Sequence, residues 1–455
     1  MAGTSSEAVS IEKEKSSSRV INVVFVALLL DLLGFTLILP LFPSILDHYG
    51  QTADPVYQSL QSVVDWFREA VGIPMERKYN SVLFGGLIGS LFSLLQFLSS
   101  PLTGAASDRL GRRPLLLLTT AGLALSYAVW AASRSFSGFL VFRVVGGVCK
   151  GNVSVCTAVV ADLPCPKARH RGMAMIGVAF SLGFTLGPLM GAYFAVHAGQ
   201  GEELLHQYPA LLALLFSLAD LLFIWLLLPE TLAKHLKVSS PGLEGPRDLL
   251  HPGSLFYFSA VSRVRDPPSK QRMRKLQVLG LVYFSYLFLF SGLEFTLSFL
   301  THQRFHFTSM QQGKMFFFIG VIMMSIQGGY SRRIQPGHHI KAVRTAILAL
   351  IPAFVLVGLA WNLVMLYLGL ALYAFAAAIV VPCLSTLVSD HGSAGQKGTV
   401  MGILRSLGAL ARALGPIVTS SVYWMAGAEV CFILTSAMFV VPLLLLRTAS
   451  RLKTE

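Results

Sequence analysis

GAASDRLGRRP (104–114) lies between two long apolar runs, 81–103 and 115–133. Gly104 carries no side chain and allows close helix packing where the first run ends. Asp108, set among Arg109, Arg112 and Arg113, then makes a tight charge cluster just outside the apolar layer. A basic turn of this kind also fixes topology, because Lys and Arg collect in loops that stay cytosolic. A related string, GGYSRR (328–333), follows another apolar run 224 positions later. Two more pairs recur at nearly that offset: Gly187-Pro188 with Gly415-Pro416, and Asp162 with Asp390, each 228 apart. Three matches at almost one spacing predict duplicated halves related by an axis along the membrane normal.

A bilayer core about 30 Å thick needs roughly 20 apolar residues per spanning helix. Such runs lie near 21–45, 81–103, 115–133, 136–161, 173–196 and 208–228, then near 277–299, 315–330, 342–361, 363–388, 399–421 and 430–446. The expected fold is therefore an all-α membrane protein of about twelve spans. Only Trp361 and Asn362 separate the ninth run from the tenth. Composition agrees, with 54% hydrophobic and 13% charged residues and a mean hydropathy of +0.66. Soluble chains carry about a quarter charged residues. Residues 232–275 are polar and basic with five prolines, and read as a cytosolic linker. The expected plan is a cytosolic tail 1–19, a first bundle 20–231 with an outer loop 47–79, the linker, a second bundle 276–447 and a tail 448–455. Within the linker, 249–261 reads equally as a membrane-surface segment or as an amphipathic loop.

The net charge of +14 falls in alternate loops. Lys13, Lys15 and Arg19 precede the first span, Lys167, Arg169 and Arg171 follow the fourth, Arg332, Arg333, Lys341 and Arg344 lie between the eighth and ninth, and Arg447, Arg451 and Lys453 close the chain. The opposite loops hold little beyond Arg68, Arg77, Lys78, Arg134, Arg304 and Lys314. Both termini are thus expected in the cytosol, and the basic excess is a topology signal with no nucleic-acid partner implied. The first 19 residues lack the pattern of a secretory signal, so the first span is read as an uncleaved one. Nothing selects the plasma membrane over an internal one. No P-loop and no HExxH occurs. The chain is therefore expected to be no enzyme, with no catalytic residue, metal or cofactor, and to work as a monomer in the lipid bilayer.

GAASDRLGRRP resembles the loop motif of major facilitator transporters, above all their tetracycline and multidrug antiporter branch, with Ala106 where Leu is usual. DLLGFTLILPLFP (31–43) resembles that branch's first-helix motif, Arg143 with Gly147 its fourth-helix motif, and GFTLGPLMGA (183–192) its fifth-helix antiporter motif. LPETL (228–232) resembles the usual end of the sixth helix. Within the branch the chain looks most like the animal tetracycline-transporter-like carriers. The resemblance implies a major facilitator fold, two six-helix bundles with pseudo-two-fold symmetry, and alternating access. It implies a cytosolic gate at Gly104, Asp108, Arg109, Arg112 and Asp162, in which Asp108 meets the start of the eleventh helix near Gly398 and Arg112 pairs with Asp162. Gly183, Gly187, Pro188 and Gly191 form the antiporter motif, whose glycines also serve close helix packing. The tetracycline–proton antiporters rely on an acid in the ninth helix; none occurs between 342 and 361, so that coupling scheme does not carry over.

Ionisable groups inside spans are costly and functional by default. Asp31 lies roughly 16 Å into the first helix. Arg143 and Lys150 lie seven apart in the fourth, as do Arg405 and Arg412 in the eleventh. Glu294 follows the stripe of Tyr283, Tyr286 and Phe290 in the seventh. The stripe reads equally as ordinary packing, Arg405 as a snorkelling residue, and Asp220 of the sixth helix as a group satisfied away from any pathway. If Asp31 pairs with Arg143, as related antiporters suggest, Lys150 and Arg412 are left for an anionic group. The expected function is secondary transport of a small amphipathic organic anion, coupled to protons through Asp31 or Glu294. The alternatives are a drug-like cation or zwitterion antiporter, and a non-transporting receptor or scaffold on a transporter fold.

Overall fold

In a bilayer an apolar run satisfies its own backbone polar groups only as a helix or a closed barrel, and here long helices form throughout. The computed structural model describes residues 2–39, 41–51, 54–71, 77–197, 207–233, 250–262, 269–307, 309–335, 337–392 and 396–451. The first half comprises α1 (Ala2–Thr36), α2 (Arg77–Leu110), α3 (Arg112–Ala132), α4 (Phe136–Ala161), α5 (Pro166–His197) and α6 (Gln207–Leu227). The second comprises α7 (Lys270–Phe305), α8 (Ser309–Gly329), α9 (His339–Gly358), α10 (Leu363–His391), α11 (Lys397–Tyr423) and α12 (Met425–Arg451). Ten of these are long and apolar enough to cross a membrane; α2 and α8, of 34 and 21 residues, complete the set. This is the expected all-α architecture of twelve helices in two bundles.

Helix ends follow local chemistry. Ser135, Ser269 and Asn362 accept backbone N–H groups at the heads of α4, α7 and α10, as N-caps do. Asn362 thereby draws the boundary between α9 and α10 that hydropathy alone blurs. Gly427, at φ 82°, kinks the chain in the first turn of α12, just beyond its join with α11. The first apolar run is not one helix to residue 45: α1 stops at Thr36, ahead of Pro40 and Pro43, and a short helix Phe42–Gln51 restarts beyond it, because proline withholds a backbone donor. In the outer loop, Asp54 caps the helix Pro55–Val71 through Val56 N and Tyr57 N, while its other oxygen accepts from Phe136 N and ties the loop to α4.

The linker's short helices, Pro252–Phe256 and Ser259–Ser262, lie against the second half. Leu255, Phe258 and Val261 are each fully buried in its core, and a Cβ on Gly280 would meet the Phe258 ring. The rest of the linker, 234–249 and 263–268, lies outside the described residues, as do 72–76 of the outer loop and 452–455 of the tail.

The second half is held by one continuous core across α7, α9, α10 and α11. The first half has two: one toward the chain ends around Val20, Leu28, Val159 and Ile224, and one toward the opposite face around Leu37, Tyr127, Trp130 and Phe139. Between them the charged groups of the site are enclosed.

Candidate functional site: buried charges, an aromatic row and an inter-half seam

α4 breaks in mid-membrane. Its pieces are Phe136–Cys149 and Asn152–Ala161, and Lys150 is the residue that ends the first, at φ −71° and ψ 10°. A helix C-terminus carries partial negative charge and favours a cation. Interrupted helices at this depth are tolerated where protein covers them, and mark binding sites in transporters. Lys150 Nζ lies 2.7 Å from Asp31 Oδ2, with both side chains buried. The Asp31–Arg143 pair suggested by related antiporters is therefore replaced by Asp31–Lys150. Arg143, two turns away on α4, instead lies with its guanidinium 4.5 Å from the Phe92 ring and 5.9 Å from Phe142. Asp31, Lys150, Asp220 and Arg405 all act electrostatically on the buried Cys156 thiol, so four ionisable groups from four helices converge there.

A row of rings accompanies these charges. Phe92, Phe35, Phe184 and Phe180 follow one another at centroid spacings of 5.3, 6.5 and 6.3 Å. Lys150 Nζ sits 4.6 Å over Phe35, and Arg405 sits 5.4 Å over Phe180, so three cations lie on ring faces, a favourable electrostatic arrangement. Arg405 is only 8% exposed and crosses from α11 to a ring of the other half. It does not snorkel.

The second half presents a different cluster. Glu294 on α7 is exposed, and the Tyr373 hydroxyl hydrogen-bonds its carboxyl, with Arg412 close enough to act on it. Tyr286, Phe290 and Tyr373 stack at 5.4 and 4.8 Å. Tyr283 and Tyr286 are buried, Tyr283 against Gly408, and the Tyr286 hydroxyl has no hydrogen-bond partner among the described residues. The stripe on α7 is thus packed inward, while Glu294 one turn beyond Phe290 is exposed. Tyr373 escaped the sequence reading because one tyrosine within an apolar run gives no signal. Phe35 and Phe180 escaped it for the same reason.

On the side that carries the chain ends, a seam joins the halves. Asp108 Oδ1 accepts from Gly398 N at 2.9 Å, and its Oδ2 accepts from Thr399 N and Thr399 Oγ1, both at 2.7 Å. Arg112 is fully buried, 2.6 Å from Asp108 and 2.8 Å from Asp162. Burial raises the Asp162 carboxyl above the usual carboxylate range, and the charge and hydrogen bonds of Arg112 offset part of that shift. Gly104 is needed because a Cβ there would run into the Gly398 carbonyl. Arg109, at the end of α2, is half-buried.

Further contacts extend the seam. Lys397 Nζ donates to the Ala161 carbonyl, Ser406 Oγ to the Phe97 carbonyl at 2.6 Å, and Ser181 Oγ to Gln327 Oε1 at 2.8 Å. Arg169 pairs with Asp390 at 3.3 Å, and the buried His170 and His339 rings stack at 4.4 Å across the two halves. The fifth-helix glycines instead face α1. Gly183 packs on Leu32 and Gly187 on Thr36, whose hydroxyl bonds the Gly183 carbonyl at 2.8 Å. Pro188 lies inside α5 and Gly191 is buried one turn on.

A sequence profile of the Major Facilitator Superfamily matches residues 24–416. Major facilitator superfamily domain-containing protein 10 of Bos taurus is 60% identical over 441 residues, covering 96% of this chain and 94% of that protein. The class D tetracycline resistance protein of Salmonella ordonez is 25% identical over 409 residues, covering 88% of this chain and 89% of that protein. The crystal structure of the human organic anion transporter MFSD10 (TETRAN) superposes with a TM-score of 0.90 at 59% identity, covering 94% of this chain and 99% of that one. With twelve helices in two bundles, a profile match from α1 into α11 and a relative matched almost end to end, the chain belongs to the major facilitator superfamily, as an integral multi-pass membrane transporter and not an enzyme.

Proposed function

We propose that this transporter carries small amphipathic organic anions by alternating access, coupled to protons, with both chain ends in the cytosol. The observation that carries the anion reading is Arg405: a buried guanidinium at the junction of the halves that makes no ion pair among the described residues and rests on Phe180. Asp31 and Lys150 neutralise each other, which leaves the arginines to set the sign of the site. A buried cation without a carboxylate partner among the described residues gains most from an anionic solute. That the relative matched at 59% identity is described as an organic anion transporter points the same way.

The seam supports the mechanical part. Asp108 on the head of α11 places a carboxylate at a helix N-terminus, where the backbone N–H groups and the dipole favour it. With the bias of Lys and Arg toward that side, the seam is a cytosolic gate in its closed state, and Gly104, Asp108, Arg109, Arg112 and Asp162 are its parts. The solute then enters from the opposite side, where Glu294 is exposed.

Uptake of an anionic and a cationic fluorescent probe into proteoliposomes, with and without an imposed pH gradient, tests this reading. Anion uptake is expected to fall at least about 10-fold in Arg405→Ala and to recover in Arg405→Lys, the loss of one charged contact being worth about 1.5–3 kcal/mol. Unchanged anion uptake in Arg405→Ala would remove the main support. The exposed carboxylate of Glu294 favours a second reading, in which a cationic solute binds there; uptake of the cationic probe alone, lost in Glu294→Gln, would select it.

A further inference from the structure

Asp220 of α6 is 2% exposed, and its Oδ1 has no hydrogen-bond partner among the described residues. It lies one helical turn from Ser217, whose hydroxyl bonds the Thr120 carbonyl of α3 at 3.5 Å, so the two side chains share the face turned into the bundle. The charged and titratable groups acting with it are Asp31 on α1, Tyr127 on α3, and Lys150 and Cys156 on α4. One ammonium therefore acts on two carboxyls, and it is bonded to Asp31 at 2.7 Å. An ionised Asp220 would sit buried within the helix bundle, without a donor on Oδ1 among the described residues and within electrostatic reach of a like charge. Each of these conditions disfavours the charged form of a carboxyl.

We propose that Asp220 is a proton-binding site of the transport cycle, protonated while Lys150 is bonded to Asp31. This rests on the proton-coupled reading above and names the group that holds the proton. On release, the Asp220 O–H bond breaks, the proton passes to water, and the carboxylate left behind competes with Asp31 for the Lys150 ammonium. Protonation draws Lys150 back to Asp31. Since Lys150 sits at the break in α4, the proton on α6 is read out where the backbone of α4 is interrupted, between α1 and the second half. The role assigned to Asp220 is that of a group that acts on solute through Lys150.

Asn has the size and neutrality of a protonated Asp, so Asp220→Asn mimics the loaded state. The full chain in proteoliposomes, with an anionic fluorescent probe, gives two readouts: uptake driven by an imposed pH gradient, and probe exchange without a gradient. Asp220→Asn is expected to lose gradient-driven uptake at least 10-fold, to keep exchange within about two-fold of wild type, and to show exchange that no longer varies with pH. Gradient-driven uptake undiminished in Asp220→Asn overturns the proposal. Should wild type itself ignore the gradient, the coupling reading falls, and infrared difference spectroscopy decides Asp220 alone. A carboxylic-acid C=O band present in wild type and missing in Asp220→Asn upholds the site, and identical spectra overturn it. Should Asp220→Asn fail to assemble, Asp220→Glu restores a titratable group; a pH-dependent exchange rate in that variant upholds the site, and a pH-independent one overturns it.

Discussion

Asp108 accepts three hydrogen bonds from Gly398 and Thr399 and touches Arg112 as well. Hydrogen bonds to a charged group are worth about 1.5–3 kcal/mol, so Asp108→Asn is expected to shift the equilibrium between closed and open seam about 10- to 100-fold. Transport should slow while membrane insertion stays normal; kinetics equal to wild type would count against the gate. Arg112 is fully buried between Asp108 and Asp162. Removing one partner of such a group strands a buried charge at a cost of about 3–5 kcal/mol. Arg112→Ala should therefore lower thermal stability sharply, and Arg112→Ala with Asp162→Ala should recover part of the loss; a single variant as stable as wild type would show that the pair contributes nothing. At this scale the sequence was only partly legible. Asp108, Arg112 and Asp162 could be read because a motif fixes their spacing and each contact lies at a helix end. The partner of Asp31 could not. Arg143 and Lys150 lie seven apart on one side of α4, and nothing in that spacing says which of them Asp31 meets.

Between elements, glycine sets how close the helices come. A Cβ at Gly104 would strike the Gly398 carbonyl, and one at Gly402 would strike the Ser100 carbonyl. Neither obstacle is a side chain that can turn away. Gly104→Ala is expected to push α2 from α11 and raise the reactivity of a cysteine placed at Thr399 toward a water-soluble thiol reagent; unaltered reactivity would mean that α11 tolerates the methyl group. Gly427 at φ 82° is a second such position. Its ψ of 168° puts it in a region that is essentially glycine's alone, where another residue costs about 1–3 kcal/mol, so Gly427→Ala should lower thermal stability by a few degrees with transport retained. Helix existence was legible from hydropathy alone, and the α9–α10 boundary needed the Asn362 cap to resolve it. The docking of Leu255, Phe258 and Val261 was not legible, since three apolar residues in a polar linker suit a membrane surface as well as a protein core.

For the whole molecule, duplication, two bundles and a seam make a machine with one side shut. The halves could be read from the repeated offsets, whereas the seam's Ser181–Gln327 and His170–His339 contacts come from residues far apart in the chain with no motif between them. Ser181 and Gln327 replaced by cysteines should be joined by a short bifunctional thiol reagent, which would arrest transport until the linker is cleaved; undiminished transport in the joined protein would show that the seam never opens. The most direct test of the central claim is uptake of a labelled organic anion into proteoliposomes preloaded with the unlabelled anion. A carrier that reorients faster when loaded predicts accelerated entry on preloading, whereas entry indifferent to preloading, or no entry at all, would contradict an alternating-access anion carrier.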